Sequence, residues 1–145
     1  MNEADWGVTP ADWAHDQAEL LAVRTQVFVH EQGVPLDLEI DGRDAAAWHL
    51  LARNNAGQAI GTGRMLADGH IGRMAVLPGW RGHGVGQALL QGLLRIAHTH
   101  GLEAVFLHAQ VGAIGFYERQ GFRCSGDIFM DAGIPHQTMR RRLQA

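Results

Sequence analysis

The sequence predicts an α/β fold in which helices pack on one mixed, mostly antiparallel sheet. Two hairpin signals, Asn54-Asn55-Ala56-Gly57 and Asp68-Gly69, separate strand-like runs at residues 47 to 53, 59 to 67 and 70 to 77. A helix-spaced apolar run then leads to a further strand at residues 104 to 108, which makes a strand, helix, parallel-strand crossover. With 145 residues and 46% hydrophobic content, the chain has enough material for one cored domain over residues 1 to 145 and too little for two.

Each element has its own signal. Thr9-Pro10-Ala11-Asp12 reads as an N-cap, a proline at the first helical position and an acid in the first turn. Leu20, Val23, Val27 and Phe28 follow at helical spacing, so a helix of about 18 residues is expected to end near His30. Gly33, Pro35 and Asp41-Gly42 break residues 31 to 46 into loop or short helical turns. After the three strands, Val85, Ala88, Leu89, Gly92, Leu93, Ile96 and Ala97 mark a helix of about 15 residues, stopped by Gly101. Residues 113 to 120 form a short helix closed by Gly121, and residues 122 to 130 and 136 to 143 form a last hairpin turned at residues 131 to 135.

Composition removes several chemistries. All 12 basic residues are arginines, so Schiff-base catalysis and a lysine-bearing phosphate loop are excluded. Ser125, the only serine, lacks the setting of a hydrolase nucleophile. The single Cys124 and the acidic start Met-Asn-Glu-Ala-Asp-Trp point to a reducing, cytoplasmic setting. No apolar stretch is long enough for a membrane span, and a net charge of -3 argues against nucleic acid as the main partner. Arg140, Arg141 and Arg142 are a local exception, read as the solvated end of the last strand or as a polyanion patch. Nine histidines raise a metal reading, but His98 and His100 face different ways on a helix and no H-E-x-x-H occurs, so no metal is expected.

The segment Met74-Ala75-Val76-Leu77-Pro78-Gly79-Trp80-Arg81-Gly82-His83-Gly84-Val85-Gly86 feeds a strand through a glycine-rich loop into a helix. Such a helix start presents unpaired amides and the positive end of the helix dipole, and glycines let the backbone approach phosphate closely. A dinucleotide fingerprint does not fit, because the third glycine of G-x-G-x-x-G is replaced by Gln87 or Leu89. The spacing Arg81-x-x-Gly84-x-Gly86 resembles the pyrophosphate loop of the GNAT superfamily of acyl-CoA-dependent N-acyltransferases, and Phe116-Tyr117-Glu118-Arg119-Gln120-Gly121-Phe122 resembles that family's second motif. The element order agrees across nearly the whole chain, beginning with a short strand near Trp6 to Val8.

The resemblance implies a GNAT-type sheet splayed between its fourth and fifth strands, with acetyl-CoA as cosubstrate. Its pyrophosphate would lie on Arg81, Gly82, His83, Gly84, Val85 and Gly86, and its pantetheine arm along Met74 and Val76. The thioester carbonyl would meet an amide near Ala75 or Val76. Gln110 stands where many members carry asparagine, which has similar hydrogen-bonding capacity. Tyr117, the only tyrosine, becomes the general acid at the CoA sulfur, and Glu31 and His136 rank first as bases, with Glu39, Asp41 and His108 behind them. The acidic run Glu31, Asp37, Glu39, Asp41 and Asp44 either draws cationic amines to the acceptor side or merely solubilises an exposed loop. The expected function is transfer of an acetyl group from acetyl-CoA to a primary amine of a small molecule or peptide; a non-catalytic acyl-CoA-binding module is the alternative. Pairing of two copies as a homodimer is left open.

Overall fold

Helix start and strand compete for the first signal in the chain, and the strand wins. In the computed structural model, which describes residues 5–143, Thr9 and Pro10 lie inside strand β1, Trp6–Ala11. They pair with Leu51 and Leu50 of β2, Trp48–Asn54. Strand β1 is at the sheet edge, where a proline's missing N–H faces no partner strand, so Pro10 is tolerated. The cap passes to Asp12, whose side chain accepts from the Ala14 amide at 3.2 Å and opens α1, Trp13–Arg24. The expected helix end near His30 is met by a wider winding: Thr25–Glu31 continues as a π-helix, with Gln32 N donating to Val27 O at 3.0 Å. The acidic start at residues 1–4 lies outside the described residues.

The remaining elements are the short helix α2, Leu36–Glu39, strands β3, Ala59–Met65, and β4, His70–Val76, and helix α3, Val85–Thr99. Strand β5, Ala104–Gln110, helix α4, Ile114–Arg119, and strands β6, Arg123–Asp131, and β7, Ile134–Arg142, complete the order. Turn chemistry tightens the last hairpin relative to the five-residue turn expected. Ala132 and Gly133 both take positive φ, 52° and 77°, which matches a two-residue turn. Pro135 therefore sits in the ladder opposite Met130.

The seven strands run in the order β1-β2-β3-β4-β5-β7-β6, antiparallel except for β4 with β5. Helix α3 buries Val85, Leu89, Leu90, Leu93 and Ala97 against Leu50, Ile60, Ile71 and Val105. Each large aliphatic side chain so buried contributes about 1.5–3 kcal/mol. The approach is close because glycines stand on both sides of the contact: a Cβ on Gly92 of α3 would lie 2.5 Å from Leu50 Cδ1, and one on Gly61 of β3 would lie 3.0 Å from Val85. Ala75 packs with Val23 and Val27, whereas its neighbours Met74 and Val76 pack with the α3 cluster. Alternation along a strand thus puts α1 and α3 on opposite faces of β4. No helix among the described residues is long and apolar enough to cross a membrane.

Candidate active site

Strands β4 and β5 pair only at His70 with Phe106 and Ile71 with Leu107. Past Ile71 they part, because β4 carries one extra residue against β3: Arg64 faces Gly72 but Thr62 faces Ala75. Arg73 at this bulge is held at φ 51°, a left-handed conformation that costs a non-glycine residue about 1–2 kcal/mol. The result is a notch along β4. Leu77 N donates to Ile60 O at 2.9 Å, so the antiparallel alternation directs Ala75 toward β3 and leaves the Val76 amide on the notch side.

At one end of the notch lies the glycine loop. Gly82 and Gly84 adopt φ 81° and 84°, and Gly84 is the N-cap of α3 with no side-chain cap. The amides of Val85, Gly86 and Gln87 donate to no described residue. Open space surrounds the Cα of Gly82, while a Cβ at Gly86 would lie 3.8 Å from Phe116 and from Val76. Arg81 and Glu31 pair with each other. Arg81 donates through Nε to Val76 O at 2.9 Å and through both terminal nitrogens to Glu31 at 2.7 Å. Those hydrogen bonds hold the Glu31 carboxyl below its usual range and make it a weaker base. Glu31 is therefore a tether for the loop arginine, apart from the cavity that Tyr117 and His136 share. His83 turns to Trp80, at 5.6 Å between ring centroids.

At the other end, a cavity of about 310 Å³ brings together Met74, Gln110, Tyr117 and His136 from β4, β5, α4 and β7. Tyr117 sits edge-on to Phe116 and Phe122 at 5.0 and 5.9 Å, and burial pushes its phenol up to about 12. Gln110 donates to Gln32 Oε1 at 2.9 Å, which ties β5 to the π-helical end of α1. His136 Nδ1 lies 2.7 Å from Ile134 O. A carbonyl only accepts, so Nδ1 donates to it, and in the neutral ring the lone pair is on Nε2. His70 and His108 stand 4.7 Å apart between ring centroids, and Phe129 packs between His108 and His136. Burial, with His108 nearby, brings His70 down to about 4; burial also lowers His108. Both rings are therefore neutral at pH 7.

The profile of the acetyltransferase (GNAT) domain matches residues 14–143. The chain belongs to the GNAT acetyltransferase family. It is 37% identical over 126 residues to a protein of Bacillus subtilis (strain 168) named a putative acetyltransferase, covering 83% of this chain and 85% of that one. An acyl-CoA N-acyltransferase structure from Pseudomonas aeruginosa is 32% identical, covers 94% of this chain and 99% of its own, and superposes with TM-score 0.82. Escherichia coli ElaA is 30% identical, with TM-score 0.84 over 93% of this chain and 99% of its own.

In this GNAT acetyltransferase the acidic run is largely matched by arginines. Glu39 and Asp44 are buried, and Arg24 bridges them, donating to Glu39 at 2.6 Å and to Asp44 at 2.8 and 3.2 Å. Arg64 donates to Asp41 at 2.9 Å and to Asp44 at 3.0 Å. Arg73 reaches Glu39 at 3.3 Å and Asp41 at 3.2 Å. Burial alone would raise the Asp41 and Asp44 carboxyls, but the arginine hydrogen bonds and charges outweigh it and both end below the usual range. Three carboxylates thus meet three guanidiniums, and Asp37 is left on the exposed side of α2. His70, Arg43, Arg73 and Asp131 also line the cavity, and sequence reasoning had not singled them out as site residues. Nothing in the local sequence signals them, since they come from three separate segments, the turn before Asp44, β4 and the end of β6, that only the fold brings together. Among the described residues, no group of three or more His, Cys, Asp or Glu is arranged to hold a metal.

Proposed function

We propose that this GNAT acetyltransferase moves an acetyl group from acetyl-CoA to a primary amine of a small molecule or peptide by direct attack. The carrying observation is the notch itself, open between β4 and β5 with unpaired helix-start amides at one end and the half-buried phenol of Tyr117 at the other. Acetyl-CoA supplies the activated thioester. The amides of Val85, Gly86 and Gln87 would bind its pyrophosphate, with Gly82 and Gly84 leaving the backbone accessible and Arg81 bracing the loop rather than gripping phosphate. Met74, Val76 and Gln110 would line its arm.

His136, through Nε2, takes the proton of the attacking amine. The Val76 amide holds the oxyanion of the tetrahedral intermediate. As the carbon–sulfur bond breaks, Tyr117 delivers a proton to the thiolate, and its raised pKa keeps the phenol protonated at every working pH. The test is thiol release from acetyl-CoA across a panel of amines, with mass analysis of the product. Amine-dependent thiol release with an N-acetylated product supports the reading. Tight CoA binding with no release for any amine leaves an acyl-CoA-binding module instead.

A further inference from the structure

The charges around the acceptor cavity are not all paired with one another. Arg24, Arg64 and Arg73 neutralise Glu39, Asp41 and Asp44, yet a fourth guanidinium, that of Arg43, lines the same cavity and pairs with no described carboxylate. Arg73 commits Nε and Nη2 to the carbonyl oxygens of Leu38 and Glu39 and to Asp41, which leaves Nη1 without a described acceptor on a side chain 23% exposed. Arg24 and Arg64, the other arginines of the network, are buried and each already holds two carboxylates, with Nε of Arg64 alone lacking an acceptor. The next groups along the wall, His70 and His108, are uncharged at pH 7. Apart from the arginine-paired Glu39 and Asp41, the carboxylate of the lining is Asp131, at the end of β6. The lining therefore combines two guanidiniums with free donors, those of Arg43 and Arg73, with the Asp131 carboxylate and the neutral imidazoles of His70 and His108.

We infer that the acceptor is an amine that also carries an anionic group, seated with the anion on Arg43 and the free Nη1 of Arg73 and the amine toward His108, His136 and Asp131. A guanidinium offers paired N–H donors to the oxygens of a carboxylate or phosphate, which an ammonium-only substrate would leave unmatched. Cationic amines such as polyamines meet a like charge at the same place. The geometry also explains why Arg73 is worth its left-handed backbone: the bulge carries its guanidinium across to the carbonyls of α2 while the adjacent residues shape the notch.

This inference rests on the acyl-transfer reading, and two readouts separate them. The first is acetyl-CoA turnover with matched pairs: alanine and ethylamine, phenylalanine and phenethylamine, O-phosphoethanolamine and ethanolamine, with spermidine as the cationic case. The second is calorimetric binding of the same amines to CoA-saturated protein. The anionic member of each pair is expected to be favoured about tenfold or more in kcat/KM and in affinity. The amino-acid and phospho arms show whether carboxylate or phosphate is preferred. Arg43→Gln should erase that preference, through KM rather than kcat, and leave CoA affinity alone. Turnover that favours ethylamine, phenethylamine or spermidine overturns the inference and leaves acyl transfer standing. Preferential binding of the anionic amines without any turnover does the reverse. An Arg43→Gln protein that keeps the wild-type ratio overturns the assignment of the anion site.

Discussion

Replacing Asp44 by asparagine tests the buried charge network that shapes the acceptor side. The Asp44 side chain is 4% exposed and accepts from Arg24 Nη1 at 2.8 Å, Arg24 Nη2 at 3.2 Å and Arg64 Nη1 at 3.0 Å. Asparagine keeps the shape but removes the charge and turns an NH2 group toward one guanidinium. Arg24 and Arg64, 1% and 4% exposed, would then share Glu39 and Asp41 alone. Removing one partner from a buried ion pair costs about 3–5 kcal/mol. At roughly 2–4 °C per kcal/mol for a domain of this size, the melting temperature should fall by about 6–20 °C. Thermal and urea unfolding of Asp44→Asn would measure this, with Glu31→Gln as the control. The Glu31 pair with Arg81 is exposed and screened by water, so that variant should melt near wild type. Comparable melting of Asp44→Asn and wild type, or an equal loss in Glu31→Gln, would refute the claim that the buried network holds the loop.

Three further outcomes are expected. Tyr117→Phe should keep CoA affinity and lower turnover about 10²-fold to 10⁴-fold, the usual range for a lost general acid, and equal single-turnover rates would remove the phenol from the mechanism. Gly84→Val should weaken CoA binding in calorimetry, because its φ of 84° strains any β-branched residue and shifts the amides of α3; unchanged affinity in a folded variant would displace the phosphate site. His70 sits at about 4 in the folded protein against 6.5 unfolded, so between those values the unfolded chain binds more protons and stability rises with pH. His70→Phe should flatten that rise in urea titrations between pH 4 and 6.5, and an unaltered slope would mean the ring is solvated.

What was legible in the sequence is what short-range physics sets. The apolar spacing of α3, the Asp68-Gly69 turn and the glycines before Val85 act within a few residues, and each appears where its spacing placed it. The two motifs that identify the family are local as well, and both reach the notch. Pro10 was misread because its signal suits a helix start and an edge strand equally, and only the pairing with β2 decides between them. The charges were beyond reach for a stronger reason. Glu39 meets Arg24 across 15 residues and the Arg73 guanidinium meets the Glu39 carbonyl across 34, so a run that is acidic in sequence becomes neutral only when α1, β3 and β4 converge on it. The same holds for the histidines, since His70 and His108 become neighbours only through the register of one short parallel pair. Propensity and periodicity act along the chain, whereas Coulomb pairing and desolvation depend on distances that exist only after the sheet has closed.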